Sequence, residues 1–257
     1  MAAFFAQDGW TCIDVDNVNA PGDDLVNDAL WEEIFAGVLE DKFHFIWMGP
    51  PCSSFSPARR YGPGPRPIRD AKHCRGFPKA WLSDAEVEEL RVANYFVVQC
   101  CRLGALALSR KCGWAIENPT PWDEDECTSM FEFEEFVDLM QRPGVRTIEF
   151  SQCMIGADTN KPTRVVFFGI DLGRLKGDCA HRPRWWWCEH ADNSGRRVEK
   201  WLWAPHPKLI KKRGPDGSWA SKAAAAYPGR MNALVAKAVV EANSTALAVG
   251  PREPGAS

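Results

Sequence analysis

No stretch of this sequence approaches the roughly 18 uncharged apolar residues that a membrane-spanning helix needs. Its N-terminus, MAAFFAQDGW, has neither a basic leading region nor a long apolar core. Neither a signal peptide nor a membrane span is therefore expected. An overall basic charge is also missing. The 31 Lys+Arg against 34 Asp+Glu leave a net charge of −3, whereas a dedicated nucleic-acid binder is usually basic. The first 41 residues contain no Lys or Arg at all, but ten Asp/Glu. Histidine is scarce, with five in 257 residues. His44 and His73, the nearest to Cys52 in sequence, flank the strand and loop expected there. A cysteine hydrolase built on a Cys–His pair thus has no obvious base.

What is present fits one α/β domain with a proper core, with room for a small insertion: 45% of residues are hydrophobic and 25% charged. Cysteine is abundant, with ten in the chain, and Cys100 and Cys101 sit side by side in an apolar helical stretch. We read them as reduced thiols of an intracellular protein, in the cytoplasm or nucleus. Charge is sorted into blocks. Residues 123–138 hold eight Asp/Glu and no Lys/Arg, while residues 57–80 hold seven Lys/Arg against one Asp. Residues 196–213 likewise hold seven against one Glu. Two basic segments on one side of a cleft would attract a polyanion; solvated loops account for the same pattern.

The stretch 43–60, FHFIWMGPPCSSFSPARR, organises the rest. Phe43–Met48 is an apolar run of strand length ending in turn residues, which predicts a buried strand. The Pro50-Pro51 pair fixes two φ angles and stiffens the loop that holds Cys52. A thiol held rigidly at the C-terminal end of a central strand is placed as a nucleophile needs; taken alone, Cys52 reads equally as a buried thiol.

Before this stretch, residues 1–10 read as the end of a helix with Gly9 near its cap. Residues 11–16, TCIDVD, read as a short strand with Asp14 and Asp16 at its tip. An acidic side chain there binds ribose hydroxyls in nucleotide-binding sheets; surface carboxylates after strands are also common. A helix follows, with Asp28 as a candidate cap. After Cys52, the basic, proline-rich residues 57–83 predict a long mobile lid. Ser83 opens a long helix running to Arg110, with acids in its first turn. Trp114–Ile116 predict a buried strand with Glu117-Asn118-Pro119 at its end. A carboxyl group there, among aromatic residues, is a candidate acid, or a plain loop carboxylate. The acidic block 123–138 predicts a surface helix, FEEFVDLMQ, and residues 147–156 and 157–169 an antiparallel hairpin.

Residues 174–220 are irregular, aromatic and basic, with WWW at 185–187 and WLW at 201–203. They contain Cys179-x-His181 and Cys188-x-His190. Zinc sites pair Cys and His, usually with wider gaps. The two pairs are therefore either ligands or thiols and imidazoles packed beside tryptophans. A helix after Tyr227-Pro228 closes the domain, and PREPGAS is a tail. The organisation expected is a core over 1–173, an irregular region over 174–220, a closing helix over 221–245 and a tail over 246–257.

Four pieces in this order resemble the DNA cytosine-5 methyltransferase family, and most nearly its compact phage and bacterial members. Those members carry a loop like PPCxxFSxAR and an acid motif ENP; here they are Pro50–Arg59 and Glu117-Asn118-Pro119. Gln152 to Gly156 with Lys161-Pro162-Thr163-Arg164 is similar to a later motif. Ala226-Tyr227-Pro228 is similar to the last cofactor motif. The resemblance covers about residues 4–240 and implies a Rossmann-like, mostly parallel sheet with an antiparallel hairpin.

It also implies transfer of a methyl group from S-adenosyl-L-methionine to carbon 5 of cytosine in DNA, on a flipped base. Cys52 would be the nucleophile, Glu117 the acid and Asn118 the residue orienting the loop. Asp14, Asp16, Asp28, Pro50 and Tyr227 would hold the cofactor. Ser56, Arg59, Arg60, Gln152, Lys161 and Arg164 would meet DNA or the flipped base. Residues 174–220 would recognise the target, or form a small hydrophobic core.

The family's Gly-rich cofactor turn has no counterpart, since no Gly-x-Gly occurs before Cys52. Residues 1–10 align with the helix that follows that turn. A core lacking its first strand, with an unpaired strand edge, is therefore expected. The alternative is a truncated or inactive relative that binds DNA or a partner without catalysis. The sequence specifies neither a DNA target nor an oligomeric state.

Overall fold

The structure, a computed structural model, describes residues 6, 9–16, 24–56, 59, 65–121, 128–181, 184–186, 200–203, 206 and 227–248. They form an α/β unit with one four-stranded mixed sheet and four helices among the described residues. Helix α1 (Asp28–Leu39) leads to β1 (Phe45–Met48). Helix α2 (Asp84–Ser109) leads to β2 (Gly113–Pro119). Helix α3 (Glu134–Met140) precedes the hairpin β3 (Arg146–Ser151) and β4 (Pro162–Phe168). Strands β5 (Arg184–Trp186) and β6 (Lys200–Trp203) make a separate antiparallel pair, and α4 (Gly229–Ala248) closes the described chain.

The sheet order is β1-β2-β4-β3, with β1 and β2 parallel and the other two pairings antiparallel. Strand alternation sends neighbouring side chains to opposite faces. Trp114, Ile116 and Val166 point into one core, shared with Trp31 and Val38 of α1, Val97 and Leu103 of α2 and Phe136 of α3. Ala115, Val165 and Phe167 point into the other, shared with Met231, Val235 and Val239 of α4. With a helical layer on each face, β2 is buried from Gly113 through Asn118.

The helix starts follow their sequence signals. Ser83 accepts from Glu86 N while Glu86 reaches back to Ser83 N at 2.8 Å, a full capping box. At α1 the cap is Asn27, whose side chain accepts from Ala29 N; Asp28 sits in the first turn instead. Both helices that feed the parallel strands end alike. Asp41 and Lys111 take φ of 55° and 57° just past the caps, and Arg110 ion-pairs with Asp41 across the two ends.

Three expectations change. Thr11–Asp16 is not a strand, and Asp14 and Asp16 are exposed. Strand β1 pairs with β2 alone among the described strands, so residues 11–16 have no paired neighbour to extend. Strand β1 begins at Phe45 rather than Phe43. Strand β2 runs on through Pro119, so Glu117-Asn118-Pro119 lie within the ladder, opposite Val165, Arg164 and Thr163. Of the expected first helix, Ala6 is helical and Gly9, at φ 78°, donates back to it. Among the described residues one helix, Asp84–Ser109, is long and apolar enough to span a membrane by length and composition. Its apolar side chains Leu90, Val97, Cys100, Cys101 and Leu103 are buried in the core. The described part of the acidic stretch is more buried than a surface helix: Phe131, Phe133 and Phe136 enter the core, Glu132, Glu134 and Asp138 are exposed and Glu135 is half-buried.

Candidate active site

Parallel neighbours β1 and β2 end side by side, which places the turn after β1 beside the last residues of β2. Asn118, 1% exposed, stitches the two together by donating from Nδ2 to the Pro50 carbonyl at 3.1 Å. That bond holds the Pro50-Pro51 turn from beneath. Cys52, half-buried, then opens a 3-10 turn over Ser53–Phe55. Phe55 anchors the turn in the core, under the Arg69 guanidinium 4.0 Å from its ring centre.

Glu117 is 5% exposed, and both its oxygens are engaged. Tyr227 OH donates to Oε2 at 2.9 Å, and Lys161 Nζ lies 3.4 Å from Oε1. A buried carboxylate needs such partners. Trp47 Nε1 in turn donates to Tyr227 OH at 3.3 Å. Lys161 stands at the foot of the β3–β4 hairpin, and its carbonyl accepts from Gln152 N at 3.1 Å and Thr163 Oγ1 at 3.1 Å. Gln152, buried, donates from Nε2 to Thr163 Oγ1 at 2.9 Å. Gly49 leaves room for this arrangement, because a Cβ there would meet Tyr227 OH at 2.8 Å.

The charges of this cluster reach the thiol. Burial pushes the Cys52 thiol above its ordinary value; the Lys161 ammonium opposes that shift and the Glu117 carboxylate adds to it. Tyr227 is pushed up by burial and by Glu117, so it remains a neutral donor. A resting thiol with a cation nearby can be ionised when needed, and a carboxyl group flanked by a phenol and an ammonium can pass a proton.

The expected site residues therefore divide. Cys52, Glu117, Asn118, Pro50, Lys161, Gln152 and Tyr227 come together. Ser56 caps the Ser53–Phe55 turn, its N–H bonded to the Ser53 carbonyl. Arg59 donates to the Ser53 carbonyl at 2.9 Å and the Arg66 carbonyl at 3.0 Å, and pairs with Glu89, so its guanidinium braces the loop. Arg164 is bound to Glu149 at 2.6 Å and stacks on Phe131. Asp28 lies on α1 and accepts from Tyr95 OH of α2. Arg60, Cys188 and His190 lie outside the described residues.

The described part of the expected lid is fastened down. Arg66 pairs with Glu86, Arg75 with Glu135, and Arg69 donates to the Cys74 carbonyl at 2.7 Å. His73, Phe77 and Trp81 pack against one another.

Sequence reasoning missed Trp47 and Thr163, which act through Tyr227 and Lys161. Lys161, expected to meet DNA, and Tyr227, expected to hold the cofactor, both contact Glu117. The residues are distant in sequence, and only the sheet register joins them.

Cys179 and His181 do cluster, but with Cys153 and His206. The ligand atoms of these four lie within 4.8 Å of one another. The His206 ring lowers the Cys179 thiol to about 6.

No family model, no curated protein and no solved structure matches this chain.

Proposed function

We propose that this chain is a DNA cytosine-5 methyltransferase, with Cys52 the nucleophile and Glu117 the acid. The observation that supports it most is the joining of Cys52 and Glu117 at neighbouring strand ends, with Lys161 acting on both. The sheet order β1-β2-β4-β3, with one parallel and two antiparallel pairings, agrees with one half of a Rossmann-like methyltransferase sheet.

Carbon 5 of cytosine is too weak a nucleophile to take a methyl group unaided. The Cys52 thiolate adds to carbon 6, forming a C–S bond, and the ring's π electrons shift toward carbon 5 and ring nitrogen 3. Glu117 relays a proton from the Lys161 ammonium, beside its Oε1, to that nitrogen, leaving Lys161 neutral. Carbon 5 would take the methyl group from S-adenosyl-L-methionine, which would leave as S-adenosyl-L-homocysteine. Water or hydroxide then removes the carbon 5 proton, the C–S bond breaks to release the Cys52 thiolate, and ring nitrogen 3 returns its proton through Glu117 to Lys161. Asn118 keeps the Cys52 turn in register throughout. Lys72 and Lys79 on the basic loop are exposed and would meet phosphates of a DNA partner. Residues 174–220 are the candidate target-recognition segment, and the chain would act in the compartment that holds DNA.

S-adenosyl-L-methionine is the donor that the resemblance implies; it would supply an activated methyl group. The residues expected to hold it do not form one cradle. Asp28 serves Tyr95, Tyr227 serves Glu117, the Pro50 carbonyl serves Asn118, and Asp14 and Asp16 are exposed on an irregular segment. That dispersal favours a second reading, a relative that binds DNA or a partner without turnover.

Bisulfite sequencing of DNA from cells expressing the chain separates the two. New 5-methylcytosine with wild type and none with Cys52→Ala supports the enzyme. Its absence with both, alongside undetectable S-adenosyl-L-methionine binding by calorimetry, supports the second reading.

A further inference from the structure

The strongest unassigned feature lies at the connection between β3 and β4. Cys153 sits in the buried turn Gln152–Ile155 after β3. Cys179 is brought to it by a backbone bond from Cys179 N to Ser151 Oγ at 3.1 Å, beside a bridge between Phe150 and Gly177. Cys179 Sγ lies 3.2 Å from His206 Nε2 and 3.7 Å from His181 Nδ1. The two rings meet edge-on with centres 5.0 Å apart.

Zinc bonded to sulfur at about 2.3 Å and to nitrogen at about 2.0–2.1 Å in a tetrahedron sets sulfur and nitrogen about 3.5 Å apart. The two observed separations fall on either side of that value. His206 also shows the supporting contact that ligating histidines carry. With Nε2 facing the thiol, its Nδ1 lies 3.4 Å from the Asp158 carbonyl, which fixes the ring and its tautomer. Two thiols and two imidazoles from three separate chain segments make a donor set suited to zinc, and neither an acidic cluster nor a lone cysteine.

We infer that Cys153, Cys179, His181 and His206 bind one structural zinc ion. It ties His206 and residues 179–181 to the edge of the main sheet. All four positions are filled by protein, so the site is closed and has no place for a reacting water. Cys153 is the neighbour of Gln152, which holds the backbone of Lys161. The ion therefore braces the turn behind Lys161 while taking no part in chemistry at Cys52. This inference does not depend on the proposed methyl transfer. Of the sequence candidates, Cys179 and His181 belong to this set, while Cys188 and His190 lie outside the described residues.

The test is zinc content of the full chain, purified without chelator, read by inductively coupled plasma mass spectrometry beside thermal unfolding. About one zinc per chain is expected for wild type, Cys12→Ser and Cys188→Ser. Loss of zinc is expected in Cys153→Ser and in His206→Ala. To separate loss of the site from misfolding of those variants, wild type stripped of metal is also titrated with cobalt(II). Thiolate-to-cobalt absorption saturating at one equivalent, absent after alkylation of Cys153 and Cys179, supports the site. Wild type without zinc or cobalt binding overturns it. So does zinc kept by Cys153→Ser but lost by Cys188→Ser, or a Cys153–Cys179 disulfide in protein alkylated at lysis.

Discussion

At the residue scale, Cys52 and Glu117 are read through the groups that hold them. Burial raises the Cys52 thiol and Lys161 opposes the rise. Its alkylation by iodoacetamide, followed by peptide mapping, is expected to speed up through the alkaline range. At a fixed pH, Lys161→Met should slow it, because the cation that favours thiolate is gone. Glu117→Gln should quicken it, because a repelling charge is gone. Equal rates in all three proteins would contradict the coupling. Tyr227→Phe removes the hydroxyl from Glu117 Oε2. A hydrogen bond to a charged group contributes about 1.5–3 kcal/mol, and urea unfolding should show a loss of that order.

At the element scale, the strand-turn-thiol unit was legible because its signals are local: an apolar run, two prolines, a cysteine. The capping box of α2 and the β3–β4 hairpin were legible for the same reason. The end of β2 was harder to read. Glu117-Asn118-Pro119 looks like loop sequence, yet the ladder to β4 continues through it, and pairing across the sheet outweighs local preference. The strand expected at 11–16 failed in the opposite direction. Its alternation is right, but a strand needs a neighbour, and β1 has only β2 among the described strands. The contacts of Lys161 and Tyr227 with Glu117 join residues far apart in sequence, so no local pattern could reveal them. Ser83→Ala tests the local side. It removes half of the box that begins α2, and a loss of about 1 kcal/mol is expected by thermal or urea unfolding.

At the scale of the whole molecule, the buried thiols make stability depend on pH. Burial raises Cys100 to about 12 and Cys112 to about 11. Unfolded thiols titrate near 8.5, so between that value and the folded ones the native state keeps protons that the unfolded state has lost. The thiol contribution is therefore complete below about pH 8.5 and is lost as pH rises. The thermal midpoint should fall through the alkaline range. Cys100→Ala should flatten that fall, while Cys12→Ser, at an exposed position, should leave it nearly unchanged.

The proposed methyl transfer requires that Cys52 form a covalent bond to cytosine. The most direct measurement uses DNA carrying 5-fluorocytosine with S-adenosyl-L-methionine. Fluorine at carbon 5 leaves no proton to remove, so the thiol adduct persists after methylation. A denaturation-resistant complex of chain and DNA is predicted for wild type, mapped by mass spectrometry to Cys52 and missing in Cys52→Ala. Folded wild type that forms no adduct, or an adduct that survives in Cys52→Ala, would contradict the account.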